Sequence, residues 1–188
     1  MSKVVVEKYS TEWPLQFELL KQEYETAIQG IPVDIQHVGS TSVPGMVAKP
    51  VIDIDIIIDS ADLLPLVIER LSDIGYAHVG DLGIAGREAF KYNQVTGGCN
   101  KPKHNLYVCL DGCASLQNHL MLRNYLRANA DVANQYSALK TELASRYADD
   151  IDLYVEGKTA FIVDILNKCG MATDYLNDIV AANKAPVK

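Results

Sequence analysis

His37-Val38-Gly39-Ser40-Thr41-Ser42, followed by Lys49-Pro50-Val51-Ile52-Asp53-Ile54-Asp55-Ile56-Ile57-Ile58, is the stretch that decides how this chain folds. An extended segment turns alternate side chains to opposite faces, so Ile52, Ile54, Ile56 and Ile58 share one face while Asp53, Asp55 and Ile57 share the other. So apolar a run reads as a central strand. Its two carboxylates then stand side by side, their Cα atoms roughly 6 to 7 Å apart at a rise of ~3.3 Å per residue. They repel each other, and a buried setting adds a desolvation cost that raises a carboxyl pKa. A divalent cation relieves both penalties. Mg²⁺ or Mn²⁺ suits hard oxygen donors, and Mg²⁺ is usually held by one or two carboxylates plus substrate phosphates, which implicates a nucleoside triphosphate. Just upstream, Gly39 lets the backbone approach a ligand closely, and the hydroxyls and amides of Ser40, Thr41 and Ser42 can donate to phosphate oxygens. Each half alone has a plainer reading: Asp-x-Asp as the wet side of an amphipathic strand, and the Ser/Thr run as a turn. Their order, with 12 residues between Ser40 and Asp53, favours a single site.

Outward from this stretch, residues 3 to 8 read as a short extended segment, and Thr11 with Pro14 marks a helix start that Thr11 would cap. Leu15, Leu19, Leu20, Tyr24 and Ile28 fall at helical spacing and form the expected buried face, with Gly30 and Pro32 ending the helix. Asp34 to Val38 and Val51 to Ile58 read as strands and Leu63 to Leu71 as a helix stopped near Gly75. Tyr76 to Val79, Glu88 to Val95 and Asn105 to Leu110 complete the strands, with Gly97, Gly98 and Gly112 as turns. Beyond Ser115 the pattern is helical: Leu116 to Ala128, Val132 to Tyr147, and about Lys158 to Ile179, with a frayed tail from Ala181. Strands crowd the first part and helices the second. The expected class is α+β (mixed α/β): a mixed β-sheet flanked by helices, with a carboxy-terminal helical segment packed on it. We expect a single domain over 1–188, sheet-rich over 1–112 and helical over 113–182.

Composition narrows the function. The chain has 188 residues, 48% hydrophobic and 22% charged, which is ordinary for a folded globular protein, and no apolar window reaches the ~20 residues of a membrane span. No membrane partner is expected. Lys+Arg total 17 against Asp+Glu 24, a formal charge of −7, which disfavours extended nucleic-acid binding. The start lacks a secretory h-region, so a cytoplasmic location is expected, where Cys99, Cys109, Cys113 and Cys169 would stay as thiols. Cys109 and Cys113 with His104 or His119 lack the second ligand pair of a structural zinc site.

At this point the sequence resembles a known family. Gly39-Ser40, a spacer, then Asp53-x-Asp55 resembles the signature of the nucleotidyltransferase superfamily that includes DNA polymerase beta-like enzymes. More narrowly, HVGSTSVPGMVAKPVIDIDIII, KHNLYVC, LRNYLRANADVANQYSALK and YVEGKTAFI resemble the GrpB family, over nearly the whole chain. The resemblance implies that Gly39 and Ser40 hold nucleotide phosphates and that Asp53 and Asp55 bind the metal. Superfamily enzymes usually add a third carboxylate on a later strand as base toward the acceptor. The matching segment here, Lys103 to Cys109, offers His104, Asn105 and Tyr107 but no Asp or Glu. His104, with an ordinary pKa near ~6.5, is the substitute base expected from this segment, a hydrogen-bonded structural histidine being the alternative.

Basic residues would complete the site. Arg123 and Arg127 are four apart on one helix face, Lys140 and Lys158 follow, and Lys49 directly precedes the acidic strand. The expected function is a transferase that binds a nucleoside triphosphate with Mg²⁺ (or Mn²⁺) and passes a nucleoside monophosphate to an acceptor the sequence does not name. A non-catalytic nucleotide-binding or regulatory module of the same fold is the alternative, and a scaffold with vestigial motifs a third reading.

Overall fold

The computed structural model of the chain describes residues 3–94 and 100–186. The described strands form one sheet in the order β1-β2-β5-β4-β3, from β1 (Val33–Val38), β2 (Ile52–Ile58), β3 (Tyr76–Gly80), β4 (Arg87–Tyr92) and β5 (His104–Leu110). Only β2 and β5 run parallel; the other neighbours are antiparallel. The Val95 end expected for β4, the Gly97-Gly98 turn and Cys99 lie outside the described residues.

One sheet face is covered by α1 (Glu12–Ala27) and α2 (Leu64–Asp73). There Ile52, Ile54, Ile56 and Ile58 of β2 join Leu20, Tyr24, Val67 and Leu71 in the principal core, as strand alternation requires. The face that α1 buries differs from the expected one. Trp13, Phe17, Leu20 and Tyr24 point inward, whereas Leu15 and Leu19 are exposed at 58% and 65%. Nor does Thr11 cap this helix with its side chain; the Glu12 amide donates instead to Ser10 Oγ at 3.2 Å.

The opposite sheet face meets the helical part: α3 (Ala114–Ala128), α4 (Ala130–Arg146), α5 (Ile151–Lys168) and α6 (Thr173–Ala182). The long helix expected from about Lys158 to Ile179 is in fact two. The first starts earlier, where Asp150 caps it by accepting from the Leu153 amide, and it stops at Gly170, whose φ of +84° is left-handed. Val43, Met46, Leu126, Tyr136 and Ile165 form a second core that seats the loop after β1 on the bundle. No helix among the described residues is long and apolar enough to cross a membrane.

Candidate functional site

β1 ends at Val38 and the chain turns at Gly39 (φ +68°, ψ −173°) into a short 3-10 turn, Ser40–Ser42. Such a backbone is essentially restricted to glycine. A second constraint acts here too, because a Cβ built on Gly39 would overlap the Asp53 carboxylate. Gly39 therefore sets the loop directly against the strand that carries the acids. His37 fixes the loop from the other side: its ring stacks on Phe17 with centroids 4.7 Å apart, and its Nε2 meets Thr41 Oγ1 at 3.0 Å. Burial, then the charges of Arg127 and Arg123, bring the His37 pKa down to about 4, so the ring is neutral.

Asp53 and Asp55 project from β2 toward the helical bundle. Asp55 is fully buried; its Oδ2 accepts from His119 Nδ1 at 2.7 Å, while its Oδ1 is buried with no hydrogen-bond partner among the described residues. Burial pulls the His119 pKa down, but the hydrogen bond and charge of Asp55, helped by Asp53, outweigh it and leave the value above the ordinary one. Asp53 Oδ1 accepts from Asn105 Nδ2 at 2.7 Å. Desolvation raises the Asp53 pKa, as does the Asp55 charge, against the opposing pull of Asn105, His119 and Lys49.

Strand register explains which β5 residues reach this face. Asp53 pairs with Asn105 and Asp55 with Tyr107, so Asn105 occupies the position beside the acids, while His104 pairs with Ile52 and faces the other way. The structure thus does not bring His104 to the carboxylates: its Nε2 meets Tyr76 Oη and its Nδ1 meets the Pro102 carbonyl, both at 2.7 Å. Burial leads the lowering of its pKa. The histidine at the acids is His119, on α3, whose helix crosses this sheet face. No local pattern marks it, since its pairing with Asp55 spans 64 residues.

Two pockets flank Asp53. One, of about 190 Å³, is lined by Ser40, Thr41, Lys49, Asp53, Lys140 and Lys158 among others. Its neighbour, of about 270 Å³, shares Gly39's loop, Asp53 and Lys158 and adds Asn118, His119 and Arg123 from α3. The first concentrates positive charge. Lys140 is 2% exposed, donates to the Val47 carbonyl and lies 4.8 Å from the Tyr136 ring centroid; Lys158 lies 4.5 Å from that of Tyr154. Burial, then the Lys158 charge, lowers the Lys140 pKa to about 7. Burial, then Lys49, lowers that of Lys158 to about 8, with Asp53 opposing. An anion seated among these amines would reverse both shifts.

Gly39, Ser40, Thr41, Lys49, Asp53, Lys140 and Lys158 are therefore together, with Asp55 alongside. Arg123 lines the neighbouring pocket but commits one guanidinium nitrogen to Gln36 Oε1 (2.7 Å) and the His37 carbonyl (3.0 Å). Ser42 and Arg127 are not brought to the cleft. The Ser42 hydroxyl donates to the Gly39 carbonyl, and its own carbonyl accepts from Arg127 at 2.8 and 3.0 Å. Both border a larger cavity, about 490 Å³, across the loop from the acids.

Do these groups fit a divalent cation? Among the described residues no cluster of three or more His, Cys, Asp or Glu side chains could enclose one. The donor set is instead two adjacent carboxylates with an unpartnered buried oxygen on Asp55. That fits a hard ion such as Mg²⁺ or Mn²⁺ completed by water and substrate phosphates, and it does not fit a self-sufficient cage.

The family model described as "GrpB protein" matches residues 3–168. The chain is 34% identical over 160 residues to UPF0157 protein YqkA of Bacillus subtilis, covering 85% of this chain but only 45% of that longer protein. The crystal structure of conserved protein GrpB from Enterococcus faecalis superposes with a TM-score of 0.75 at 31% identity, covering 93% of this chain and 98% of that one. The Cid1 poly(U) polymerase, in a structure with MgGTP bound, is similar in fold alone: TM-score 0.54 and 18% identity, over 74% of this chain and 44% of Cid1.

Proposed function

The chain belongs to the GrpB family, and from that premise we propose that it is a metal-dependent nucleotidyltransferase: it binds a nucleoside triphosphate and transfers a nucleoside monophosphate to an acceptor. The observation that carries this reading is the pairing of Asp53 and Asp55, with the unpartnered Asp55 Oδ1, against a pocket lined by Ser40, Lys49, Lys140 and Lys158. The nucleotidyltransferase-like fold shared with Cid1, whose structure holds MgGTP, supports it.

In this reading Asp53 and Asp55 hold Mg²⁺ (or Mn²⁺). When bound, the ion would neutralise charge on the reacting phosphates. The three lysines bind the remaining phosphate charge, and Gly39 keeps the Ser40 amide and hydroxyl within reach of the same ligand. His119 orients Asp55, and Asn105 orients Asp53, by the two 2.7 Å hydrogen bonds that fix their rotamers. Positioning and charge stabilisation account for most phosphoryl-group chemistry, so such preorganisation is the protein's main contribution.

A second reading, a non-catalytic nucleotide-binding or regulatory module, is favoured by one observation: Asn105, which cannot take up a proton as a base, stands beside Asp53. Release of pyrophosphate from each Mg²⁺-triphosphate, with a panel of small-molecule, protein and RNA acceptors, separates the two. Release that Asp53→Asn abolishes supports transfer. Nucleotide binding with no release from any acceptor supports the module.

A further inference from the structure

β5 leaves the sheet at Leu110 and reaches α3 through Asp111 and Gly112, the latter at φ +73°, with the Cys113 amide donating to the Leu110 carbonyl at 3.1 Å. This tight turn brings Cys109 and Cys113 together. Cys109 is fully buried, its backbone paired with Arg87 of β4; Cys113 is half-buried at the N-cap of α3. Gly86 lies directly beneath Cys113: a Cβ there would be 2.7 Å from Cys113 Cβ and 3.6 Å from its Sγ. The Gly86 carbonyl also accepts from the Leu110 amide at 2.8 Å. Three backbone segments thus converge on the pair, and of the two cysteines Cys113 is the one that meets solvent.

We propose that Cys109 and Cys113 form a peroxide-responsive thiol pair that closes to an intrachain disulfide at the foot of α3. The Cys113 thiolate attacks a hydroperoxide oxygen; the O–O bond breaks, the sulfur is oxidised to a sulfenic acid, and hydroxide (or alkoxide) departs and is protonated. Cys109 then gives up its proton and its sulfur attacks that of Cys113. The S–S bond forms, the S–O bond breaks, and the leaving hydroxide takes the proton as water. Two thiols lose two electrons to one peroxide.

The surroundings divide the roles. A hydrogen bond from Cys109 lowers the Cys113 pKa, and the Leu116 and Ser115 amides at the helix start lower it further, against burial and the Asp55 charge. The same hydrogen bond, burial and Asp55 push the Cys109 thiol up, with Arg87 opposing. Cys113 is the attacking sulfur and Cys109 the resolving one. α3 also carries His119 and Arg123, so the bond would form on the helix that borders the acidic pair.

The test treats the reduced full chain with stepwise hydrogen peroxide, blocks free thiols by alkylation and maps tryptic peptides. One peptide, His104 to Arg123, contains both cysteines; Cys169 lies elsewhere and serves as control. The proposal expects that peptide to become roughly 2 Da lighter and refractory to alkylation, with both changes reversed by dithiothreitol, before Cys169 reacts. Cys113→Ser should abolish the change, and Cys109→Ser should leave a dimedone-trapped sulfenic acid on Cys113. Cys109→Ala replaces the serine variant should that one fail to fold. Alkylation of Cys113 that persists alongside Cys169 at every peroxide dose, or a disulfide to any other cysteine, overturns the proposal.

Discussion

Gly39→Ala is the substitution that bears most directly on how the loop and the acidic strand are joined. Two costs act at this position. The backbone, φ +68° and ψ −173°, lies where only glycine is comfortable, which costs about 1–3 kcal/mol for a side chain. The new Cβ would also overlap Asp53, so that carboxylate must move and give up its bond from Asn105, a partly solvated hydrogen bond worth about 0.5–1.5 kcal/mol. Together they amount to roughly 1.5–4.5 kcal/mol. At roughly 2–4 °C per kcal/mol for a chain of this size, Tm should fall by about 3–18 °C. Gly45→Ala is the matched control. It also sits at positive φ, +78°, but a Cβ there meets nothing within 4 Å, so it should cost only about 1–2 kcal/mol. Calorimetric or denaturant unfolding of both variants reads the difference, and Mg²⁺-triphosphate titration of whatever folded Gly39→Ala protein remains should show weakened binding. Equal losses of stability for the two alanines would refute the close approach of Gly39 to Asp53.

The two histidines should behave oppositely. His104→Ala should lower stability by about 1–2 kcal/mol through loss of the Tyr76 contact while leaving triphosphate binding intact, whereas His119→Ala should weaken metal-dependent binding at least tenfold; chemical denaturation and calorimetry check both. Lys140 predicts a pH dependence. Its folded pKa of about 7 lies below the ordinary lysine value of 10.5, so between those limits the unfolded chain binds more protons and stability rises with pH. Lys140→Met should flatten the rise in unfolding free energy between about pH 7 and 9. For the same reason, triphosphate binding near pH ~8.5 should take up protons, measured as a dependence of binding heat on buffer ionisation enthalpy.

Much of this architecture was legible because it is written in local periodicity. The alternation of Ile and Asp along residues 52–58 fixed the two faces of β2, and the structure buries the isoleucines against α1 and α2 as expected. The buried face of α1 is not legible in the sequence because two apolar series overlap in it: Leu20, Tyr24 and Ile28 continue upstream through either Leu15 and Leu19 or Trp13 and Phe17. Contact with the sheet and with His37 selects the aromatic series, and no count within the helix reveals that. Gly170 hid inside an apolar pattern that runs on through Met171, Leu176 and Ile179, so two helices read as one.

At the site, the Gly-Ser loop, the two acids and the lysines were identifiable from motif and family resemblance. The neighbours of the acids were not. Asn105 and His119 reach Asp53 and Asp55 across 52 and 64 residues, through a parallel strand register and a helix crossing that only the assembled sheet defines. A one-residue change in that register would have put His104 at the acids instead of Asn105. That this segment runs beside the acidic strand is legible in the sequence; the face each of its residues takes is not.

The central claim is a metal-dependent nucleotide site at Asp53 and Asp55. Its most direct test is calorimetric titration of ATP, GTP, CTP and UTP, with and without Mg²⁺, into the wild type and into the Asp53→Asn, Asp55→Asn double variant, whose fold is confirmed by circular dichroism. The account predicts saturable binding of at least one triphosphate that needs Mg²⁺ and is lost in the folded double variant. Binding of none, or binding that is equal in the variant and indifferent to the metal, would contradict it.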